Sequence, residues 1–404
     1  MGIVCDDQAT RLLPVTHLLQ VLGAVCSVPH ALVVNELEPQ PLFHSSMQVI
    51  PASLASFLIS CTMLLALRPL AEVVGLVDRP GGRKTHHGDV PVVGGLAMLA
   101  GLLVAAVGSD ALGHGAASTL LVSVFMVFLG ALDDRFNLPP RVRLFAHLSA
   151  AVALVYSSGF VVRSLGDLVG FGEVGLGVLA LPFTVVSIVA LINAFNMLDG
   201  LDGLAGSAGL VALGGIMMVS SLSGSAGTLL IAGSMLGAVA AFLMFNLPTR
   251  LNRPVRTFMG DAGSTLLGFL LAGLSLTLVQ PTSIGLSPMI VLWMMPIPIF
   301  ELFTSTTRRL VRGLPPTQAD TGHFHHLLVA AGMSVRAICA LYFVVSVAGC
   351  AWGVLAYQSS VPEPVLFVGF CLAFGGWLLL VRSAHRIVAA LPQWFRRVDA
   401  STGH

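Results

Sequence analysis

Charge is scarce in this chain. Only 10% of its 404 residues are Asp, Glu, Lys or Arg, against roughly 25% in ordinary soluble domains. The charged helix faces that separate core stripes in a soluble protein are missing, which excludes a water-soluble globular fold. Paired cysteines are missing too. Cys5, Cys26, Cys61, Cys339, Cys350 and Cys371 are scattered, mostly inside apolar runs, with no C-x-x-C. That argues against a disulfide frame or a structural zinc site and reads as small apolar side chains in a core. The basic start of a secretory signal is also lacking, because Asp6 and Asp7 stand where it would be.

What the chain has in abundance is apolar length. Hydrophobic residues make up 56% and the mean hydropathy is +0.91. They fall into runs of about 20 residues, the length at which a helix crosses the hydrocarbon core. Eleven such runs lie near 50–69, 91–108, 116–132, 142–158, 176–195, 204–222, 227–245, 264–280, 286–306, 337–357 and 364–381. Backbone polar groups left unpaired in lipid are too costly, so each run is expected to be a helix. The predicted fold class is an all-α polytopic membrane protein with about eleven transmembrane helices.

All but Arg11 and Arg163 of the 20 Lys and Arg residues lie at alternate run ends, in the loops around 79–84, 135–143, 250–256 and 308–336 and in the tail after 381. By the positive-inside rule these loops are cytoplasmic. The N-terminus is then outside and the C-terminus cytoplasmic. Residues 1–46 stand apart, with Glu36 and Glu38 and a weak apolar stretch near 18–34 broken by Pro29 and His30. A leader, a surface helix and a twelfth span all fit it, and Met47 stands where a natural start is expected. The domain reading is an extension over 1–46, a transmembrane unit over 47–391 and a cytoplasmic tail over 392–404.

The acidic residues carry the functional signal. No membrane rule places them, yet Asp78, Asp89, Asp133, Asp134, Asp199, Asp202, Asp261, Glu301 and Asp320 share the arginine-rich side. Solvated loop charge is the ordinary explanation for one such loop. Four on one face, interleaved with glycine, suit a hard divalent cation and a polyphosphate, with oxygen ligands for one and guanidinium forks for the other. Asp133 and Asp134 are adjacent, so their repulsion calls for a cation or a proton. Asn193, Asn196, Asp199 and Asp202 recur every third residue, so on a helix they make one polar stripe at the membrane surface. Gly260 and Gly263 flank Asp261, with Ser264 near a helix start that welcomes phosphate. His323, His325 and His326 sit beside Asp320 without cysteine, and phosphate or sugar contact suits them better than zinc.

Five motifs in order, DRPGGRKTHHGDVPVVGG (78–95), DDRFN (133–137), NAFNMLDGLDGLAG (193–206), FMGDAGS (258–264) and DTGHFHH (320–326), resemble the polyprenyl-phosphate N-acetylhexosamine-1-phosphate transferase family over residues 50–335. The H-x-H-H form is similar to the bacterial branch that uses UDP-N-acetylglucosamine and undecaprenyl phosphate. The peptidoglycan branch has three consecutive histidines. The resemblance implies attack of a polyprenyl phosphate oxygen on the β-phosphorus of a UDP-sugar with loss of UMP, directly or through a covalent aspartyl intermediate. It implies a multi-pass enzyme of the bacterial inner (cytoplasmic) membrane with its site on the cytoplasmic face.

Carried over by motif, Asp261 is the expected magnesium ligand (manganese being the alternative), with Asn196 as its partner. Asp133 and Asp134 position or deprotonate the lipid phosphate, and Asp199, His323, His325 and His326 belong to the catalytic set. Phe258 stacks on uracil, Gly200 and Asp202 line the uridine pocket, and Arg83, Lys84, His86, Arg143 and Asn193 complete substrate binding. Three positions depart from the family: Arg143 replaces a usual Lys, Glu301 a common Asp, and Thr321 a frequent basic residue. Another UDP-N-acetylhexosamine or UDP-MurNAc-pentapeptide is the alternative within the family. A transporter or flippase is the alternative outside it, disfavoured because the span interiors carry almost no charge. No nucleic acid is expected as a partner, and homodimerisation is left open.

Overall fold

The computed structural model describes residues 42–79, 89–106, 112–249, 256–280, 285–315 and 322–390. These form thirteen α-helices, one short 3-10 turn and a two-stranded ribbon: α1 Leu42–Val74, β1 Val77–Asp78, β2 Val90–Pro91, α2 Gly94–Ala106, α3 His114–Phe136, α4 Pro140–Ser158, α5 Ala180–Leu198, α6 Leu204–Ser223, α7 Ala226–Asn246, α8 Gly260–Leu278, α9 Pro288–Met294, α10 Pro296–Val311, α11 Phe324–Ala330, α12 Val335–Gln358 and α13 Glu363–Ala390. The chain is an all-α polytopic membrane protein. Every expected apolar run has its helix, but not every helix is a simple crossing.

Among the described residues, eight helices are long and apolar enough to cross a membrane on their own, and the pair α9 and α10 makes a ninth if counted together. Three differences from the sequence expectation have physical reasons. The run 91–108 supplies only the 13 residues of α2, about 20 Å of helix at 1.5 Å per residue. The helix α4 carries Arg141, Arg143 and His147 in its first half, which keeps it out of the eight. The run 286–306 is not one straight helix. It bends by 93° between α9 and α10, where Pro296 and Pro298 deny the backbone two donors and Met295 leaves the helical region at φ −139° and ψ 55°. In compensation α10 continues to Val311 and takes Arg308 and Arg309 out of the expected loop.

At the centre stands α8. It is the least apolar of the eight, with mean hydropathy 1.4, yet 89% of its most apolar 18-residue stretch is buried inside the bundle, more than of any other. It is surrounded by α2, α3, α5 and α6, so its small residues meet protein and not lipid. Close approach is made at glycine. A methyl group at Gly130 of α3 would collide with the backbone of Ala262, and one at Gly268 would lie 2.7 Å from Ile192 Cα on α5. Outward-facing residues such as Leu54, Leu65, Phe128, Val186 and Leu372 are exposed and apolar, as a lipid-facing surface requires.

The ribbon and the loops at its level close one end of the bundle. Val77 pairs with Pro91 and Asp78 with Val90. The Phe258 N–H donates to the Pro91 carbonyl (2.9 Å) and the Gly94 N–H to the Phe258 carbonyl (3.1 Å). The segment before α8 is thus fixed against the start of α2.

Candidate active site

The site begins where α3 meets α8. Asp134 turns its carboxylate to the start of α8 and accepts from the backbone N–H groups of Asp261 (2.7 Å) and Ala262 (3.1 Å). A carboxylate there satisfies free helix donors and faces the positive end of the helix dipole. Gly260 is what lets it approach. It sits at φ +70°, and a Cβ there would lie 2.5 Å from Asp134 Oδ2. Asp134 is therefore engaged with the backbone, and Asp133 is the carboxylate left to face the cavity.

Asp133 is buried. Its Oδ1 accepts from the Leu138 N–H at 2.7 Å, and its Oδ2 lies 3.3 Å from Arg143 Nη1. Arg143 also reaches Asp261 Oδ2 at 3.9 Å. The same Nη1 thus faces both carboxylates, so one guanidinium serves two acids. The Asn196 side chain donates to Asp261 Oδ1 and, at 3.1 Å, to Ser264 Oγ. Asp261 is left partly open, its side chain 31% exposed.

The polar stripe read from 193 to 202 holds for its first half only. The helix α5 ends at Leu198, with Asp199 at its C-cap. The chain then turns through Gly200 and through Gly203 at φ +81°, so Asp199 and Asp202 leave the helical register that carries Asn193 and Asn196. The Gly203 N–H donates to Asn246 Oδ1 at 2.6 Å, and Asn246 Nδ2 donates to the Thr257 carbonyl at 2.9 Å. Asn246 is a residue the sequence reading missed. It ties the turn after α5 to the segment carrying Phe258. The Asp199 carboxyl is held well above the usual carboxylate range, first by its withdrawal from water and then by the negative charges of Asp261, Asp134 and Asp202.

A cavity of about 480 Å³ opens between α3, α4, α5, α8, α10 and α11. Asp133, Arg143, Asn193, Asn196, Asp261, His323 and His326 line it, seven residues picked out by sequence. Asp134, Asp199, Gly200, Asp202, Phe258 and His325 do not line it. His325 is fully buried, with its Nε2 against Gly200. Arg83, Lys84 and His86 lie outside the described residues, as do Asp320 and Thr321.

Two titratable lining residues, His147 and Arg309, were not picked out as site residues. His147 stands one turn along α4 from Arg143. Arg309, only 7% exposed, lines the cavity with the histidines. Its place near the end of an apolar run predicts a loop charge, but the structure carries it on α10. The signal was present in the sequence: Glu301, Ser305 and Arg309 recur at intervals of four, one face of a helix.

Among the described residues no group of three or more His, Cys, Asp or Glu side chains is arranged to hold a metal ion. That pattern would mark zinc. Magnesium is held by one or two carboxylates, with waters and substrate phosphates filling its octahedron. Asp261 and Asp133, two oxygen-donor acids sharing the single guanidinium of Arg143, fit that need, with Asn196 beside Asp261.

Residues 116–279, spanning α3 to α8, match glycosyl transferase family 4. The chain is similar to undecaprenyl-phosphate alpha-N-acetylglucosaminyl 1-phosphate transferase of Escherichia coli (strain K12), with 33% identity over 348 residues, 86% of this chain and 95% of the relative. The enzymes of that name from Yersinia pestis (33% over 343 residues, 85% of this chain and 94% of the relative) and Haemophilus influenzae (33% over 345 residues, 85% and 96%) are similar to it as well. Identity at that level along nearly the full length of these relatives, with a family match over α3 to α8, makes this chain a member of the polyprenyl-phosphate N-acetylhexosamine-1-phosphate transferases of glycosyl transferase family 4.

Proposed function

We propose that the protein transfers N-acetylglucosamine-1-phosphate from UDP-N-acetylglucosamine to undecaprenyl phosphate and releases UMP, the first membrane step of a cell-envelope polysaccharide. The observation that carries the reading is the cavity itself. The acids Asp133 and Asp261 line it beside Arg143 of α4, and Arg309 lines it from a separate helix, α10. Two guanidiniums on separate elements suit two phosphate-bearing substrates meeting at one point.

The acceptor phosphate oxygen forms a bond to the β-phosphorus, and the bond from that phosphorus to the oxygen bridging it to the α-phosphorus breaks. UMP takes the electron pair. Phosphoryl transfer of this kind asks for alignment and charge neutralisation more than for a strong nucleophile. Arg143 holds incoming phosphate beside Asp133, and Asp133 orients the acceptor oxygen or takes its last proton. Arg309, His323 and His326 neutralise and orient the diphosphate and its sugar. Asn193 and Asn196 offer amide contacts on the same wall. Asp261 and Asp133, with Asn196, would hold magnesium, which when bound supplies positive charge to the pyrophosphate oxygens.

The site residues stand at the ends of α3, α5 and α10 and at the starts of α4, α8 and α11. We read eleven crossings, counting α2, α4 and the α9–α10 pair; with the positive-inside rule that reading supports the site end on the arginine-rich cytoplasmic side of the inner membrane, the N-terminal end of α1 outside and the C-terminus cytoplasmic. The acceptor's tail then stays in lipid while its phosphate reaches the cavity. Purified protein given undecaprenyl phosphate, magnesium and a panel of labelled UDP-sugars is expected to move label into lipid from UDP-N-acetylglucosamine at least about 10-fold faster than from the others, a step of 1.4 kcal/mol in transition-state binding. Preference for another UDP-sugar overturns the substrate assignment.

A further inference from the structure

Between α10 and α11 lies a carboxylate that does not touch the cavity. Glu301 is 1% exposed. Its Oε1 accepts from the Tyr342 hydroxyl of α12 at 2.6 Å, and its Oε2 accepts from the Phe324 backbone N–H at 3.3 Å. The same two oxygens face the histidine motif. His323 Nδ1 lies 3.5 Å from Oε2, and His325 Nδ1 lies 3.6 Å from Oε1. The two imidazoles are parallel within 5°, their centroids 5.4 Å apart, as two rings directed at one carboxylate would be. Both Nδ1 atoms are buried and make no hydrogen bond at these distances. Bonds of this kind are often long in a ligand-free site and tighten when substrate is bound.

We propose that Glu301, held by Tyr342, is the positioning residue of the His323-Phe324-His325-His326 motif: its carboxylate takes the Nδ1–H of both His323 and His325. The partner of one ring nitrogen decides which nitrogen carries the proton. With Nδ1–H committed to Glu301, the free Nε2 of His323 is the atom offered to the sugar nucleotide, and the Nε2 of His325 is held against Gly200 in the turn after α5. The Tyr342 hydroxyl stops the carboxylate from rotating away. Glutamate suits this post because a carboxylate can accept from two rings at once, whereas an amide would turn a donor toward one of them.

The inference rests on the transferase reading, and one assay separates the two. Wild-type protein that moves no label from UDP-N-acetylglucosamine to lipid sinks that reading; active wild type leaves the inference to be decided by the variants. Glu301→Gln is expected to lower kcat by ~10- to 100-fold, as loss of a carboxylate behind a histidine does at metal sites, with KM for the sugar nucleotide changed less than about 3-fold. Tyr342→Phe should lower kcat by a smaller factor, and Glu301→Asp should recover part of what Glu301→Gln loses. The deciding test is a cycle in which Glu301→Gln is added to a His323→Ala/His325→Ala background. A residue acting through those rings costs less than about 2-fold there. Losses that multiply, or full activity in Glu301→Gln, overturn the proposal. Where Glu301→Gln does not fold, Tyr342→Phe carried through the same background decides in the same way.

Discussion

Asp261 draws on three partners from three elements: the Asn196 amide of α5, the Arg143 guanidinium of α4 and, through its own N–H, the Asp134 carboxylate of α3. Only its carboxylate opens to the cavity. Asp261→Asn keeps the size and most of the hydrogen bonding but removes the charge, and turnover should fall by at least about 100-fold, as when an electrostatic stabiliser is lost. Melting temperature in detergent should barely move. Near-normal turnover at low magnesium would shift the assignment to Asp133. Asp199 behaves in the opposite sense. Its proton is held more tightly folded than unfolded, so its penalty is absent below the ordinary carboxylate pKa, grows as pH rises, and is complete once the folded group ionises. In EDTA, the wild-type melting temperature should fall more steeply from pH 5 to pH 8 than that of Asp199→Asn. Parallel curves would mean that the acids around it are already neutralised. The motif residues were legible in the sequence because chemistry fixes their type. Asn246 and Arg309 were not singled out, since each looks like loop polarity until the fold joins the segments that it holds.

At the scale of elements, apolar length made each helix legible, and residue choice at the ends explains the exceptions. The turn after α5 ends a stripe that spacing alone carried on to Asp202. The prolines at 296 and 298 turn α10 across the expected axis, and this brings Arg309 to the cavity and Glu301 behind His323 and His325. Neither consequence follows from hydropathy, which sees composition and not direction. The contact of α3 with α8 is the joint that brings Asp133 to Asp261, and it depends on Gly130. Gly130→Val forces side-chain atoms into the Ala262 backbone, an overpacking cost of about 1–3 kcal/mol. It should lower both melting temperature and turnover. Gly214→Ala, which meets nothing within 4 Å, should leave both unchanged. If Gly130→Val melts normally and stays active, the joint is looser than its geometry implies.

For the whole molecule, sidedness and chemistry come together. In a protein stripped of its native cysteines, Leu314→Cys should react with an impermeant thiol reagent only from the cytoplasmic side, and Gly224→Cys only from outside. Reversed labelling would move the cavity to the wrong face for a cytoplasmic sugar nucleotide. The central claim is narrower: the bond cleaved lies between the two phosphorus atoms, so the sugar leaves with its own phosphate. UDP-N-acetylglucosamine carrying one radiolabel on the β-phosphorus and another on the sugar tests this directly, with undecaprenyl phosphate as acceptor. Both labels should enter the lipid in equal amounts, with one unlabelled UMP released for each. Release of β-labelled UDP, with only the sugar label reaching the lipid, would show ordinary glycosyl transfer and contradict the account.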